Sequence, residues 1–279
     1  MVNNSQIWDD CDCKLGIEEV EVNLAAVFAL ITGLIIVFIA HVLEGGSISS
    51  ISVLFQPTAF LIVIGGTFCA ALLNFNLETI KNAFRNARGI FYKEENRTMK
   101  VIDDIIQLSY YARKNGILAL QGVLSEVRDG FLCRGLQLAI DTNNPQLLYD
   151  VLSAEISYEE EEELINSRVF EALGGYAPTF GVVGAVMGLI HVMSNIQNIH
   201  ILGTGIATAF VATLYGVGCA NLILLPIAGN LKQKTREKIL LKEVVLQGIL
   251  SILMQENPAI IEEKLVAYLK FHHKQHSFA

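Results

Sequence analysis

Charged residues are scarce in this chain of 279 amino acids. They make up 17% of it, whereas a soluble globular domain carries about 25%. The scarcity is local. No Asp, Glu, Lys or Arg occurs from Ala172 to Leu231, and Glu44 is the single charged residue from Val22 to Leu77. This segregation argues against an ordinary soluble domain and predicts a membrane protein.

The chain also lacks the residue patterns of several functional classes. It contains no Walker motif, no intramembrane His-Glu ligand set and no nucleophile–base arrangement, so we predict no enzyme activity and no cofactor. Cys11 and Cys13 lie close together, but structural zinc usually needs four ligands, so no metal site is predicted. The net charge of −8 argues against a nucleic-acid partner.

Each uncharged stretch is long enough for two transmembrane helices. A spanning helix needs roughly 20 apolar residues, and the two stretches hold 56 and 60. The acidic residues before the first stretch are unlike the basic start of a cleavable signal peptide. The predicted spans are Leu24–Val42, Pro57–Leu73, Ala172–Met193 and Ile201–Asn230.

The basic residues predict the orientation of these spans. Residues 78–171 carry eleven of the twenty Lys and Arg, the tail from Lys232 carries eight, and the short loops 43–56 and 194–200 carry none. Positive charge stays on the cytoplasmic side. We therefore predict an N-terminal cytoplasmic segment (1–23), spans one and two (24–75), a cytoplasmic helical domain (76–170), spans three and four (171–231) and a cytoplasmic helical tail (232–279).

The stretches outside the spans have helical periodicity. Apolar residues recur at spacings of three and four from Val101 to Ala112, Gly116 interrupts the pattern, and no convincing strand alternation follows. The five glutamates from Glu159 to Glu163 favour a solvated helix face over a metal site. Further helical runs are predicted at Ile117–Val127, Leu132–Ile140, Gln146–Leu152 and through the tail to a break at Asn257–Pro258. The predicted fold class is an all-α membrane protein with four transmembrane helices and a helical cytoplasmic domain between the second and third.

Small residues and two prolines mark the last two spans. Small residues, many of them glycine, recur every three or four positions from Gly174 to Gly188 and again from Gly203 to Ala220, a pattern that lets helix backbones approach closely. Pro178 and Pro226 each remove a backbone donor. The sequence leaves open whether they make static kinks or hinges.

No predicted span contains an acidic residue. Proton pathways need a titratable carboxylate in the membrane, so a partner helix would have to supply one if this chain conducts ions. This chain would supply hydroxyl groups. A bond from such a hydroxyl to a carbonyl of its own helix is the more common arrangement for any single threonine. The available hydroxyls belong to Thr179, Thr204, Thr208 and Thr213.

Several long motifs resemble the MotA/PomA family of flagellar stator proteins, and the likeness runs from about residue 24 to 270. The motifs are Pro57–Thr67, Tyr111–Leu120, Gly174–Leu189, Leu202–Val217 and Asn221–Ala228. The resemblance implies a pentameric ring in the bacterial inner membrane around two copies of a single-span MotB-type subunit. That partner would carry the missing Asp, and ion flow past it would turn the ring against the rotor protein FliG.

The resemblance also implies roles for individual residues. Pro178 and Pro226 match the family's two functional prolines, and Arg113 and Lys114 match its basic torque positions. The family usually has Glu where this chain has Gln121. The rotor contact is therefore expected to use another acid, Glu126, or to depend more on Arg113.

The coupling ion follows from two further positions. Sodium-driven relatives resemble one another in having a threonine on each of the last two spans facing the partner Asp. This chain has Thr213 at one position and Ala185 at the other, which favours protons; Thr179 is a third candidate for the ion pathway. The alternatives are a sodium-driven PomA-type stator and an ExbB/TolQ-type energy-transducing subunit, which usually has three helices.

Overall fold

The described part of the chain is almost wholly helical. The computed structural model describes residues 21–22, 28, 32–33, 35–36, 39, 43, 54–89, 92–93, 98–194, 196–197 and 199–276. The predicted span Leu24–Val42 falls mostly outside the described residues; its described positions from 28 to 39 have helical backbone.

The helices are α1 (Pro57–Asn74), α2 (Leu77–Arg88), α3 (Thr98–Asn115), α4 (Gly130–Thr142), α5 (Pro145–Ser194), α6 (Ile199–Cys219), α7 (Leu225–Leu253) and α8 (Pro258–His276). One π-helical segment, Leu61–Gly65, lies within α1, and another, Ala220–Leu224, joins α6 to α7. Two 3-10 segments follow α3, at Ile117–Gly122 and Leu124–Glu126. A two-residue strand, β1 (Glu21–Val22), pairs antiparallel with β2 (Tyr92–Lys93).

Among the described residues, three helical stretches are long and apolar enough to cross a membrane. They are Pro57–Asn74, Pro145–Ser194 and Leu202–Leu253. The first confirms the apolar helix predicted at Pro57–Leu73. Proline starts α1, α5 and α8, where the missing N–H would have had no helical partner anyway.

The chain divides into two compact units. The polar unit comprises the described residues within 94–161 and 235–279, and the apolar unit those within 20–93 and 162–234. Large apolar side chains are exposed along the spans of the apolar unit, with Leu73 at 91% and Phe210 at 73%. Exposed apolar surface on this scale is typical of a face that meets lipid or another protein.

The polar unit has its own hydrophobic core. Ile105 of α3, Leu136 of α4, Leu152 of α5 and Ile249 of α7 are fully or almost fully buried in it. A methyl group on Gly135 would lie 2.4 Å from Cδ1 of Ile249, so glycine lets these helices pack closely. The amphipathic helix predicted from Val101 to Ala112 is confirmed as α3.

Two sequence predictions were wrong in detail. The run Gln146–Leu152 is the first part of the 50-residue helix α5, because residues 153–171 contain no glycine or proline to end it. The run Ile117–Val127 forms two 3-10 segments after Gly116, whose φ of +86° ends α3. Short 3-10 pieces are common as such connectors.

Glu159, in the acidic run, is ion-paired. The Glu159 carboxylate accepts a hydrogen bond from Lys242 and lies 3.2 Å from Nζ of Lys238, both on α7. The Lys242 ammonium also lies 4.9 Å from the ring centroid of Phe131. Burial by itself would raise the pKa of Glu159, but the two lysines outweigh it and hold the pKa below its ordinary value of 4.5.

We expect Glu159→Gln to lower the free energy of unfolding by about 1 kcal/mol at neutral pH, since it removes a partly buried ion pair. Glu161→Gln is the matched control, because Glu161 is exposed in the same run. A depressed carboxyl pKa gives stability that is present above the unfolded pKa and lost as pH falls through the folded one. Thermal unfolding should therefore separate the two variants at neutral pH and not in strong acid; equal stability at neutral pH would refute the contribution of Glu159.

Candidate functional site

Helices α5 and α6 pack against each other through small residues. A Cβ built on Gly188 would lie 3.1 Å from Cβ of Ala209 and 3.1 Å from the carbonyl oxygen of Gly205. A Cβ on Gly184 would lie 2.8 Å from Cβ of Ala212. Contacts this short leave no room for a side chain, so the glycine pattern of the sequence makes a close helix–helix seam.

The closest approach of backbone to backbone in this seam is at Gly216. A Cβ at Gly216 would lie 2.6 Å from the carbonyl oxygen of Ala177, 3.0 Å from Cα of Gly181 and 3.2 Å from Cα of Pro178. All three are backbone atoms, which no change of rotamer can move. The hydrogen of Gly216 is therefore what lets α6 approach the proline-containing part of α5.

The two interior prolines lie close to the same part of α5. Pro178 has no N–H to donate to the carbonyl of Gly174, four residues earlier. A Cβ on Gly174 would lie 2.6 Å from Cδ2 of Leu225, the residue before Pro226. The π segment Ala220–Leu224 ends two residues before this proline. A widened turn gives room for the proline ring, which would otherwise clash with the carbonyl four residues back.

The three candidate ion-pathway residues lie along these helices. The hydroxyl of Thr213 donates to the carbonyl of Ala209 at 3.2 Å, and that of Thr179 donates to the carbonyl of Tyr176 at 2.7 Å. Thr213 and Ala185 are half-buried, and Thr179 is exposed. Each hydroxyl proton is thus used within its own helix. The lone pairs of each oxygen remain able to accept a proton donor or to face a cation.

A polar contact that sequence reasoning missed ties the start of α1 to α6. The hydroxyl of Thr208 lies 3.4 Å from Oε1 of Gln56, and the hydroxyl of Tyr215 donates to the carbonyl of Leu54. Gln56 stands just before Pro57 in an otherwise apolar stretch, a signal that could have pointed to it. These bonds satisfy polar groups in surroundings where unsatisfied ones are costly.

A second missed contact joins α1 to α5. A Cβ on Gly66 would lie 2.3 Å from Cδ1 of Phe180, so the aromatic ring rests on a bare glycine. The preceding Gly65 has nothing within 4 Å of its own Cβ position. The Gly-Gly pair was visible in the sequence, but its partner ring was not.

The candidate rotor residues belong to the polar unit. Arg113 and Lys114 are exposed in the last turn of α3, where the helix dipole favours positive charge. Gln121 and Glu126 are exposed in the two 3-10 segments that follow. Leu120, between these polar residues, is fully buried and holds the first segment on the core.

Comparison with known proteins places these features in a family. Residues 124–244 match the MotA/TolQ/ExbB proton channel family, and residues 27–116 match the Motility protein A N-terminal family. Motility protein A of Bacillus subtilis is 36% identical over 242 residues, covering 85% of this chain and 88% of that protein. Motility protein A of Helicobacter pylori (strain ATCC 700392 / 26695) is 32% identical over 249 residues, covering 88% and 95%.

The fold agrees with a solved structure. A chain of the flagellar MotAB stator complex from Bacillus subtilis superposes with a TM-score of 0.80 at 34% identity, covering 91% of this chain and 98% of that one. The chain therefore belongs to the MotA/TolQ/ExbB proton channel family. Within it, the match of residues 27–116 and the motility relatives define a flagellar motor stator subunit, so the stator reading of the sequence is confirmed over the ExbB/TolQ alternative.

Proposed function

We propose that this chain forms, with a MotB-type subunit, a proton-conducting channel that converts ion-motive force into torque on the flagellar rotor. The observation that carries the channel is the glycine seam of α5 and α6, which lies in a 60-residue stretch with no acidic residue. A proton pathway along this seam needs a carboxylate from another chain. A single-span partner with a membrane Asp supplies that group.

The membrane arrangement is four spans in the bacterial inner membrane. Residues 24–75 and 171–231 form the spans, and residues 1–23, 76–170 and 232–279 lie in the cytoplasm. The long apolar helices and the distribution of Lys and Arg support this arrangement. A homopentameric ring around the partner is proposed from the family resemblance.

The ion pathway runs past Thr213, Ala185 and Thr179. Sodium needs several oxygen ligands to replace its water, whereas a proton needs a carboxylate and a water chain. Ala185 offers no side-chain oxygen, which supports protons as the coupling ion. Pro178 and Pro226 act as hinges, supported by the close contacts beside them: Gly216 against Ala177 and Pro178, and Gly174 against Leu225.

Torque passes to FliG through the exposed residues after α3. Arg113 and Lys114 would attract acidic groups of the rotor. Glu126 would supply the acidic group that the family usually has at the position of Gln121. Charge complementarity of this kind steers and registers a partner more than it tightens binding, which suits a contact that must be made and broken at each step.

Motor speed in a stator-deletion strain tests the proposed function. The strain receives this chain and its MotB-type partner, sodium is titrated at constant proton-motive force, and a protonophore is then added. We expect speed to be independent of sodium and to fall to zero with the protonophore.

Two other outcomes have distinct meanings. Speed that follows sodium would overturn the proton assignment and the meaning given to Ala185, while keeping the stator. Absence of rotation, with both proteins present in the membrane of a competent host, would overturn the stator function itself.

A further inference from the structure

Helix α2 carries two stripes of different character. Ile80, Ala83 and Ala87 are buried, and their spacing of three and four places them on one side. Lys81 and Arg85, spaced by four residues, are exposed together with Arg88 three residues further on. This second stripe lies about 130° around the helix from the first, at about 100° per residue.

Exposed apolar residues lie between these two stripes. Leu77 is 74% exposed and Phe84 is 38% exposed, and their seven-residue spacing places them on one side of the helix. The order around the helix is therefore buried, exposed apolar, basic and finally polar. The polar face carries Thr79, Asn82 and Asn86, and the acidic Glu78 lies between it and the basic stripe. This order matches the passage from protein to acyl chains, headgroups and water that an interfacial helix meets.

Contacts within the apolar unit fix the position of α2 along the spans. The ring of Phe84 stacks on that of Phe68 in α1, with centroids 5.8 Å apart, and lies 5.0 Å from the ring of Phe170 in α5. Just after the C-terminal end of α2, Nζ of Lys234 donates to the carbonyl of Gly89 at 2.7 Å. The helix is thus held against the ends of the spans.

The ends of the spans, against which α2 is held, are where the apolar stretches end and charged residues begin. Glu171 and Lys232 are the charged residues that bound the 60-residue apolar stretch, and they lie 3.8 Å apart. Lys234 follows two residues later. A helix held here lies at the depth of lipid headgroups if the apolar stretches span the bilayer.

We propose that Lys81, Arg85 and Arg88 form a binding surface for the phosphate headgroups of anionic phospholipids. This inference rests on the membrane placement proposed above. The guanidinium and ammonium groups match the negative phosphate of a lipid headgroup, and the exposed apolar side chains beside them match its acyl chains. A lipid is therefore the ligand that fits both the basic stripe and the apolar residues next to it. Leu77 and the exposed part of the Phe84 ring contact acyl chains while the basic groups hold the headgroup.

The test compares lipid selectivity of the full-length chain in vesicles of phosphatidylcholine containing a small fraction of labelled phosphatidylglycerol. Energy transfer from the protein to the labelled lipid reports local enrichment. Each basic residue near an anionic surface contributes about fivefold to binding, so we expect Arg85→Gln to weaken enrichment about fivefold. Arg85→Lys should retain it, and added salt should reduce it by screening.

Two controls bracket this result. Arg134→Gln removes one exposed positive charge from the polar unit and should leave enrichment unchanged. Glu78→Gln removes the acid that neighbours the basic stripe and should strengthen enrichment. Unfolding in pure phosphatidylcholine should be the same for Arg85→Gln and the wild type, which separates a loss of lipid binding from a loss of fold.

Three outcomes would overturn the inference: unchanged enrichment when all three basic residues are replaced by glutamine, equal losses in Arg85→Gln and Arg134→Gln, or no enrichment by the wild-type chain. Extraction of the chain by alkaline carbonate would instead refute the membrane placement. Motor speed with the partner tests the stator function separately, so failure of each claim gives a different result.

Discussion

Gly216→Ala is expected to abolish or nearly abolish motor rotation. The added methyl group would meet the carbonyl oxygen of Ala177 at 2.6 Å and Cα of Gly181 at 3.0 Å. Both are backbone atoms, so α5 and α6 must move apart. Overpacking of this kind costs about 1–3 kcal/mol, and about 1.4 kcal/mol is tenfold in an equilibrium constant. The lost close approach lies next to Pro178, where the proposed ion pathway passes.

Gly218→Ala is the control for this experiment. It lies two residues away on the same helix and has nothing within 4 Å of its Cβ position. Both changes raise intrinsic helix propensity equally, so any difference between them reports packing. Rotation speed of single tethered motors, at equal amounts of membrane-inserted protein, measures it. Equal speeds in the two variants would show that α5 and α6 can move apart at Gly216 without loss of function, and would refute the prediction.

Pro226→Ala is expected to stabilise the protein and to slow the motor. Proline inside a helix costs about 3 kcal/mol, and alanine restores an N–H that can bond the carbonyl of Leu222. The π segment Ala220–Leu224 would then be free to close into ordinary α-helix. If Pro226 is a hinge, a straighter and stiffer helix lowers the population of the second conformation, so speed falls while the unfolding temperature rises.

Pro57→Ala provides the comparison. Pro57 occupies the first turn of α1, where the absent N–H costs no helical bond. We expect normal rotation and little change in unfolding temperature. Thermal unfolding of the purified complex and motor speed are measured on the same variants. A Pro226→Ala protein that is more stable and rotates normally would identify the proline as a static kink.

The elements that sequence analysis predicted well depend on local properties. The apolar helix from Pro57, the amphipathic helix α3 and the break at Asn257–Pro258 all appear in the structure. Each follows from spacing, charge or a residue that cannot continue a helix. Helix α2 was not singled out, because it is only twelve residues long and mixes apolar, polar and charged side chains between two stronger signals.

The sequence by itself determined the segregation of charge, and hence which stretches can lie in a membrane. It also determined the family, because the glycine and proline motifs are long and specific. Only the tertiary structure decided which glycines matter. Gly174, Gly205 and Gly216 meet neighbouring atoms within 2.6 Å of a Cβ, while Gly175, Gly203 and Gly218 meet none within 4 Å.

The physical reason lies in how helices contact each other. Every glycine in such a run lacks a side chain, but only a glycine that faces a neighbouring helix allows the two backbones to approach closely. That facing depends on the rotation of each helix about its own axis, on the π segment before Pro226 and on the proline Pro178 inside α5. These are set by the packing of α1, α5 and α6 together, and no single stretch of sequence contains them.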